Sequence, residues 1–536
     1  MTGGDYQGSI PGLLLAAAQR NPDATWLRSD DGTLTFGGTV TAVGLTAQAL
    51  ASAGVRRGDL VLLTARTTPE YLLSWLAVTA MGAVAVAVNP RSAAAELAGL
   101  IGQTTPAAIV TDAHLAPLVT GAAHAARQAG NDSGPLLGVH AMVPEDWASH
   151  AAMSAAAGRA SLPDLPSPDD LAVLIPTSGT TGRSKLVMQT HRAYAMAGEG
   201  FPFWMELTDH DRLMTTLPLF HVNAPAYSVM GSLACGAGLV LVERFSASGF
   251  LDAARRHGAT EFNAIGAMLE ILMRQPERPD DADNPLRLCY TGPAPERQRQ
   301  LEIENRFGLR IVVGYAMSES PYGLIWPRGT RPYGTLGTVR QHPYLGAVNQ
   351  ARLAGDDGAL LGPGQTGELQ LRNPVLTPGY WGMPEETAQV KQDGWLRTGD
   401  LVTANADGTF TFVARVKEVI RRRGENLSPL EVEEVLESHP SVQDCAVVGV
   451  PSELSEEEVK AFLVAAPGQQ LDFNGLRSYA AGRLAAFKVP RYWQQIEELP
   501  RTPTARVAKH RLPAGHPPQE YDAEPGQPSP HPEDSQ

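Results

Sequence analysis

Residues 177 to 185 read T-S-G-T-T-G-R-S-K, and they follow an apolar run, Leu171-Ala172-Val173-Leu174-Ile175. The run predicts a buried strand, so the motif forms the loop that leaves it. Glycine lets the backbone approach an anion closely, hydroxyl side chains donate hydrogen bonds, and lysine adds a point charge. That combination suits the polyphosphate of a nucleotide. The G-K-[ST] ending of a Walker loop is absent. Polar Gly/Ser/Thr loops also occur without any chemistry, so the surrounding elements and further motifs decide.

The elements that must position this loop are those of an α/β protein. Helical and strand patterns alternate from the N-terminal region to about residue 350, including a helix over 41–53 and a strand over 59–64. A strand over 238–242 followed by a helix over 248–257 continues the pattern. Such alternation predicts mostly parallel sheets covered by helices. The stretch 71–88 is nearly uncharged and long enough to suggest a membrane span. Gly82 splits it instead into a helix and a β-branched strand that ends before Asn89-Pro90, the pattern of an α/β core. Short strands over 368–372 and 410–413 alternate with Gly/Asp turns and predict a smaller barrel-like subdomain. A small α/β unit follows, with helices over 428–438 and 473–484 and strands over 445–450 and 461–465. From 514 the chain is rich in Pro, acids and Gln, which predicts a disordered tail. The expected domains are therefore 1–415, 416–513 and the tail 514–536.

Composition narrows the classes of function. The 536 residues carry a formal net charge of -14 without a dense basic block, which argues against nucleic acid as the partner. Cys235, Cys289 and Cys445 are the only cysteines, and their spacing fits neither a disulfide framework nor a zinc site. The start, M-T-G-G-D-Y-Q-G, lacks the basic and apolar regions of a signal peptide, so a cytoplasmic location is expected.

Further motifs follow the loop in order. They are P-L-F-H-V-N-A at 218–224, G-Y-A-M-S-E at 314–319, Y-W-G-M-P-E-E-T at 380–387 and D-G-W-L-R-T-G-D-L at 393–401. The run A-R-V-K-E-V-I-R-R-R-G-E-N-L-S-P-L-E-V-E occupies 414–433. With the loop, these segments resemble the adenylate-forming (AMP-binding) superfamily of acyl-CoA synthetases, luciferases and peptide-synthetase adenylation domains. Within it, the segments around Ile265, Phe220 and Arg422 look most like crotonobetaine/carnitine-CoA ligase-like enzymes, a kinship that assigns no substrate.

The resemblance implies a large N-terminal domain of parallel sheets with a barrel-like subdomain, then a small mobile C-terminal domain. It implies ATP, Mg2+ and CoA, and it implies roles for particular residues. Thr177, Ser178, Gly179, Thr180, Thr181, Gly182 and Lys185 would cradle the β- and γ-phosphates. Glu319 would take Mg2+, helped by Thr180, because a hard cation bridging phosphates needs carboxylate oxygen. Ser318 would donate to the α-phosphate, and Tyr315 with Gly292, Pro293 and Ala294 would hold adenine, Thr291 standing where Gly is usual. Asp400 would accept the ribose hydroxyls beside Arg415. His221 would gate an acyl pocket lined by Asn223, Ala264, Gly266, Ala267 and Met317. Lys417 would be the hinge, with Arg421, Arg422, Arg423 and Gly424 on the CoA side or on a solvated basic face.

The chain departs from that pattern at its end. Where the family has P-x-T-x-x-G-K, whose lysine bridges α-phosphate and carboxylate, P-R-T-P-T-A-R-V-A-K at 500–509 puts Arg506 at the lysine position. Arginine keeps the charge but is a planar fork. Arg506 substitutes, or Lys509 swings in, or adenylation is slow on an unusual substrate. The expected function is an ATP-dependent acid–CoA ligase. The alternatives are an adenylating enzyme of secondary metabolism that passes its group to an amine or a separate carrier-protein thiol, including diazotisation through activated nitrite, and a non-catalytic nucleotide-binding homologue. A homodimer is left open.

Overall fold

The computed structural model describes residues 8–128, 138–142, 162, 164–177, 184–292, 294–355, 357–422, 425–451, 457–501, 507–513, 515–517 and 519–523. Side chains are described except in 138–142 and at Ala267, Lys417, Arg421, Glu425, Asn426 and His510. The chain forms two compact units, one of residues 1–351, 370–397 and 407–409, the other of 352–369, 398–406 and 410–536. The second unit thus takes in stretches of the short-strand region, 352–369, 398–406 and 410–415, along with the C-terminal part.

Two large sheets make the first unit. One runs in the order Gly138–Met142, Ala108–Asp112, Leu60–Thr64, Val84–Ala87, Leu171–Thr177 and Lys185–Thr190. Only its last pair is antiparallel. Strands Leu60–Thr64 and Ala108–Asp112 are buried at every position, as parallel strands covered on both faces must be. Helix Pro69–Ala80 starts on a Thr68 cap with proline in its first turn, and all of it but Glu70 is buried. Gly82, at φ 69°, lets the chain turn into strand Val84–Ala87. The long apolar run is thus core, and no described helix is long and apolar enough to cross a membrane.

The second sheet has nine strands, in the order Thr338–Val339, Ser320–Ile325, Arg310–Met317, Leu288–Thr291, Glu261–Asn263, Arg212–Thr215, Gly238–Leu241, Thr25–Ser29 and Gly32–Thr35. From Arg310–Met317 to Thr25–Ser29 neighbouring strands are parallel. The carboxyl ends of these six adjacent strands therefore share one edge, where open α/β sheets bind ligands.

Glu261 lies inside this sheet, fully buried, and neither carboxylate oxygen has a hydrogen-bond partner among the described residues. Burial, and after it Asp211, pushes its pKa well above the carboxylate range, so the native state holds it neutral. The unfolded chain releases that proton at ordinary glutamate pH, so stability falls as pH rises above that range. Glu261→Gln removes the effect. Its gain over the parent in urea titrations is expected to be larger at about pH 7 than at about pH 4.5; equal gains would contradict the assignment.

A six-stranded sheet of short strands takes the order Leu360–Leu361, Gln350–Ala354, Thr366–Arg372, Trp395–Ala404 and Lys391–Gln392, with Phe410–Arg415 also beside Trp395–Ala404. In the second unit, helix Pro429–Glu437 packs on the antiparallel pair Val442–Pro451 and Glu457–Ala465. Tyr492–Gln495 adds in parallel and Tyr521–Asp522 antiparallel. Val432, Leu436, Val447, Val459, Leu463 and Trp493 form a separate core here.

Within the tail expected to be disordered from 514, Tyr521–Asp522 is a strand, and residues 524–536 lie outside the described residues. An edge strand needs backbone partners more than aliphatic side chains, and the acids of this segment meet cations. Glu520 lies 2.9 Å from the fully buried Lys460, and Asp522 lies 3.0 Å from Arg491. Tyr521 stacks on Phe473 at 5.7 Å, and Ala523 joins the core.

Candidate active site

Thr177 ends one strand and Lys185 begins its antiparallel neighbour, with the two residues paired in register. The polar motif is thus the connection between two core strands. Ser178, Gly179, Thr180, Thr181, Gly182 and Arg183 lie outside the described residues. Thr177 Oγ1 donates to Lys185 O at 3.2 Å, which closes the base of the connection.

Glu319 stands with Ser318 at the tip of the hairpin formed by strands Arg310–Met317 and Ser320–Ile325. The segment from Thr377 to Trp381 braces that tip. Thr377 N donates to Glu319 O at 2.8 Å, and Trp381 N donates to Leu186 O at 2.9 Å. Tyr380 sits between, 6% exposed. Its hydroxyl donates to Glu319 Oε1 at 2.9 Å, and the Lys185 ammonium lies 4.6 Å from its ring centroid. Gln189 Nε2 donates to Ser318 O. A base from the loop strand, a phenol and an acid thus form one cluster.

The neighbouring strand ends supply a second set. Tyr315 and Met317 close one strand, their side groups in contact at 3.9 Å. Gly292 follows strand Leu288–Thr291, and a Cβ there would come within 2.5 Å of Gly314 O. Only glycine lets the 291–295 segment approach the tyrosine strand so closely. Pro293 lies outside the described residues, and Ala294 is half-buried. Ala264 is buried after strand Glu261–Asn263, and Gly266 opens helix Gly266–Met273. Asn263 Nδ2 donates to Asn223 Oδ1 at 2.7 Å, tying the 218–224 segment to this strand. His221, two residues earlier, packs its ring 4.6 Å from that of Phe220.

In the second unit, Asp400 is 1% exposed and pairs with Arg415 Nε at 3.0 Å, across the two strands that carry them. Thr398 Oγ1 accepts from Asp400 N at 3.1 Å and donates to Leu369 O at 2.8 Å, which fixes the turn into the acid. A rigid carboxylate beside a guanidinium is suited to accept the two hydroxyls of a sugar.

Residues 14–381 match the model of the AMP-binding enzyme family, and residues 431–506 match that of the AMP-binding enzyme C-terminal domain. The chain belongs to the AMP-binding enzyme family. The enzyme is 32% identical over 481 residues to a crotonobetaine/carnitine–CoA ligase of Salmonella typhimurium, covering 87% of this chain and 90% of that one. It is similar to ATP-bound MatB from Rhodopseudomonas palustris, with a TM-score of 0.82, 26% identity and coverage of 94% and 98%. A benzoate CoA ligase from Burkholderia xenovorans LB400 shares the fold, with a TM-score of 0.82 at 22% identity and coverage of 94% and 99%. The enzyme is an AMP-forming ligase of the acyl-CoA synthetase type, which activates an acid as its acyl-adenylate with ATP and then forms the CoA thioester.

The C-terminal residues of the enzyme fall unevenly against expectation. Arg422, expected on the CoA side, is 2% exposed. Its Nε lies 2.6 Å from Glu458, and Nη1 donates to Phe487 O and Val489 O at 3.0 and 2.8 Å. A guanidinium used this way braces the small unit. Arg423, Gly424 and Arg506, and the side chains of Lys417, Arg421 and Ala267, lie outside the described residues. Lys509 lies 2.7 Å from Glu433, which also accepts from Val447 N at 2.7 Å. Sequence reasoning missed roles for Tyr380, Thr377 and Gln189. Tyr380 stood inside a quoted motif, but nothing local connected it with Glu319.

Proposed function

We propose that the enzyme activates a short carboxylic acid whose acyl chain carries no charge, with Glu319 as the acid that serves the metal–nucleotide and Arg506 as the cation that joins α-phosphate to carboxylate. The observation that carries this reading is the hairpin tip, where Glu319 stands in one cluster with Lys185 at the carboxyl edge of the parallel strands. Bringing a carboxylate to ATP sets two anions together, and fixed donors and cations offset their repulsion. Thr177, Ser178, Gly179, Thr180, Thr181, Gly182 and Lys185 hold the β- and γ-phosphates, and Ser318 donates to the α-phosphate. Tyr315 and the 292–294 segment take adenine, Asp400 and Arg415 take ribose, and Lys417 is the hinge.

Mg2+ fits this donor set, because the ion keeps most of its waters and takes one or two carboxylates besides substrate phosphates. Glu319 and Thr180 would hold it, and bound there it neutralises charge on the leaving pyrophosphate. The residues expected at the acyl pocket, His221, Asn223, Ala264, Gly266, Ala267 and Met317, carry imidazole, amide, small and thioether groups and no carboxylate. They favour a short acyl group over a cationic one. Arg506 carries the C-terminal role because Lys509 is already neutralised by Glu433.

The test is ATP–pyrophosphate exchange with a panel of short, aryl and carnitine-like acids and nitrite. Exchange with a short acid whose acyl chain carries no charge, lowered at least about a hundredfold in Glu319→Gln, is the expected result. Exchange with nitrite alone, or an unaffected Glu319→Gln enzyme, would overturn the reading.

A further inference from the structure

Tyr380 belongs to the main core, yet its side chain touches Glu319 and Lys185, charged groups of the proposed phosphate-binding side. We propose that Tyr380 is a positioning residue for adenylation: its hydroxyl orients the Glu319 carboxylate toward the divalent cation of the bound nucleotide, and its ring face seats the Lys185 ammonium. The inference rests on the roles of Glu319 and Lys185 proposed above.

Backbone geometry makes Tyr380 a fixed post. Its N–H donates to Thr387 Oγ1 at 2.9 Å, and it forms an isolated antiparallel bridge with Val187. Met188 N donates to Gly379 O at 3.0 Å, and Trp381 N to Leu186 O at 2.9 Å, so the residues on both sides of Tyr380 are tied to the strand that begins with Lys185. Thr377 Oγ1 donates to Met188 O at 2.6 Å while Thr377 N holds Glu319 O at 2.8 Å. One five-residue segment therefore fixes the lysine strand and the hairpin tip relative to each other, and Tyr380 adds the side-chain link between their charges.

The chemistry of each contact is separable. The Tyr380 hydroxyl carries the proton of the contact and donates it to Glu319 Oε1 at 2.9 Å. A donor on one carboxylate oxygen removes rotational freedom from the group, as partners of metal-binding side chains commonly do. An ammonium over a ring face gains electrostatic attraction without being neutralised by a carboxylate. The lysine thus keeps its charge for phosphate.

The experiment compares Tyr380→Phe, Tyr380→Leu and Glu319→Gln with the parent enzyme. Mn2+ binding to the complex with α,β-methylene-ATP is read by electron paramagnetic resonance, metal-free binding of the same analogue by calorimetry, and folding by melting temperature. Tyr380→Phe keeps the ring and is expected to weaken Mn2+ binding about tenfold or more, with metal-free nucleotide affinity within about twofold of the parent. Tyr380→Leu is expected to weaken both. Parent-like Mn2+ binding by Tyr380→Phe, with Glu319→Gln deficient, would sink the positioning role and leave Glu319 in place. Parent-like Mn2+ binding by Glu319→Gln would remove the underlying reading and the proposal with it. Losses in both assays for Tyr380→Phe, matched by a lowered melting temperature, would make Tyr380 packing alone and also overturn the proposal.

Discussion

Arg506→Ala is expected to slow adenylate formation about 10^2–10^3-fold, while Lys509→Ala leaves it within about threefold of the parent. The first figure is the usual cost of deleting one fixed donor from a transition state that develops charge. The second follows from the place of Lys509, whose ammonium lies 2.7 Å from Glu433 and 4.0 Å from Glu418. Removing it takes away a half-buried ion pair, so its effect belongs in stability, not in rate. Arg506→Lys restores the compact ammonium of the family pattern and is expected to recover part of the lost rate. Single-turnover formation of the adenylate separates the cases. A large loss in Lys509→Ala with a small one in Arg506→Ala would reverse the assignment.

Glu520→Ala is expected to destabilise the small unit by about 3–5 kcal/mol, the usual cost of leaving one partner of a buried ion pair uncompensated. Lys460 is fully buried, and besides Glu520 it reaches Gly515 O at 2.8 Å and the Phe462 ring at 4.7 Å. None of these replaces the lost charge. Adding Lys460→Met is expected to return most of the stability, because an apolar group in such a site is about as good as the pair. Denaturant titration of the three proteins decides it. A Glu520→Ala protein as stable as the parent would show that the C-terminal strand is incidental.

How much of this was legible depends on the range of each interaction. The split of the apolar run at Gly82 could be read because capping, helix and strand patterns are local. The connection between Thr177 and Lys185, the Glu319 motif and the Asp400 motif could be read because each is contiguous. Arg422 was readable in principle. It lies two residues after Ile420 on strand Ile420–Arg422, and side chains two apart share a face, so the 1% exposure of Ile420 carries Arg422 inward with it. The run of three arginines hid that alternation. The pairs Lys460–Glu520, Lys509–Glu433 and Tyr380–Glu319 join distant parts of the chain. No spacing rule reaches them, and only the fold brings them together.

The central claim is transfer of an activated acid to CoA, and the most direct measurement is AMP formation by the purified enzyme with ATP, Mg2+ and each acid of the panel, with and without CoA, together with identification of the product. The account predicts slow AMP release without CoA, marked acceleration with it, and an acyl-CoA thioester of one short acid in equal amount to AMP. Productive AMP formation that ignores CoA and depends on an amine, a carrier-protein thiol or nitrite would contradict it.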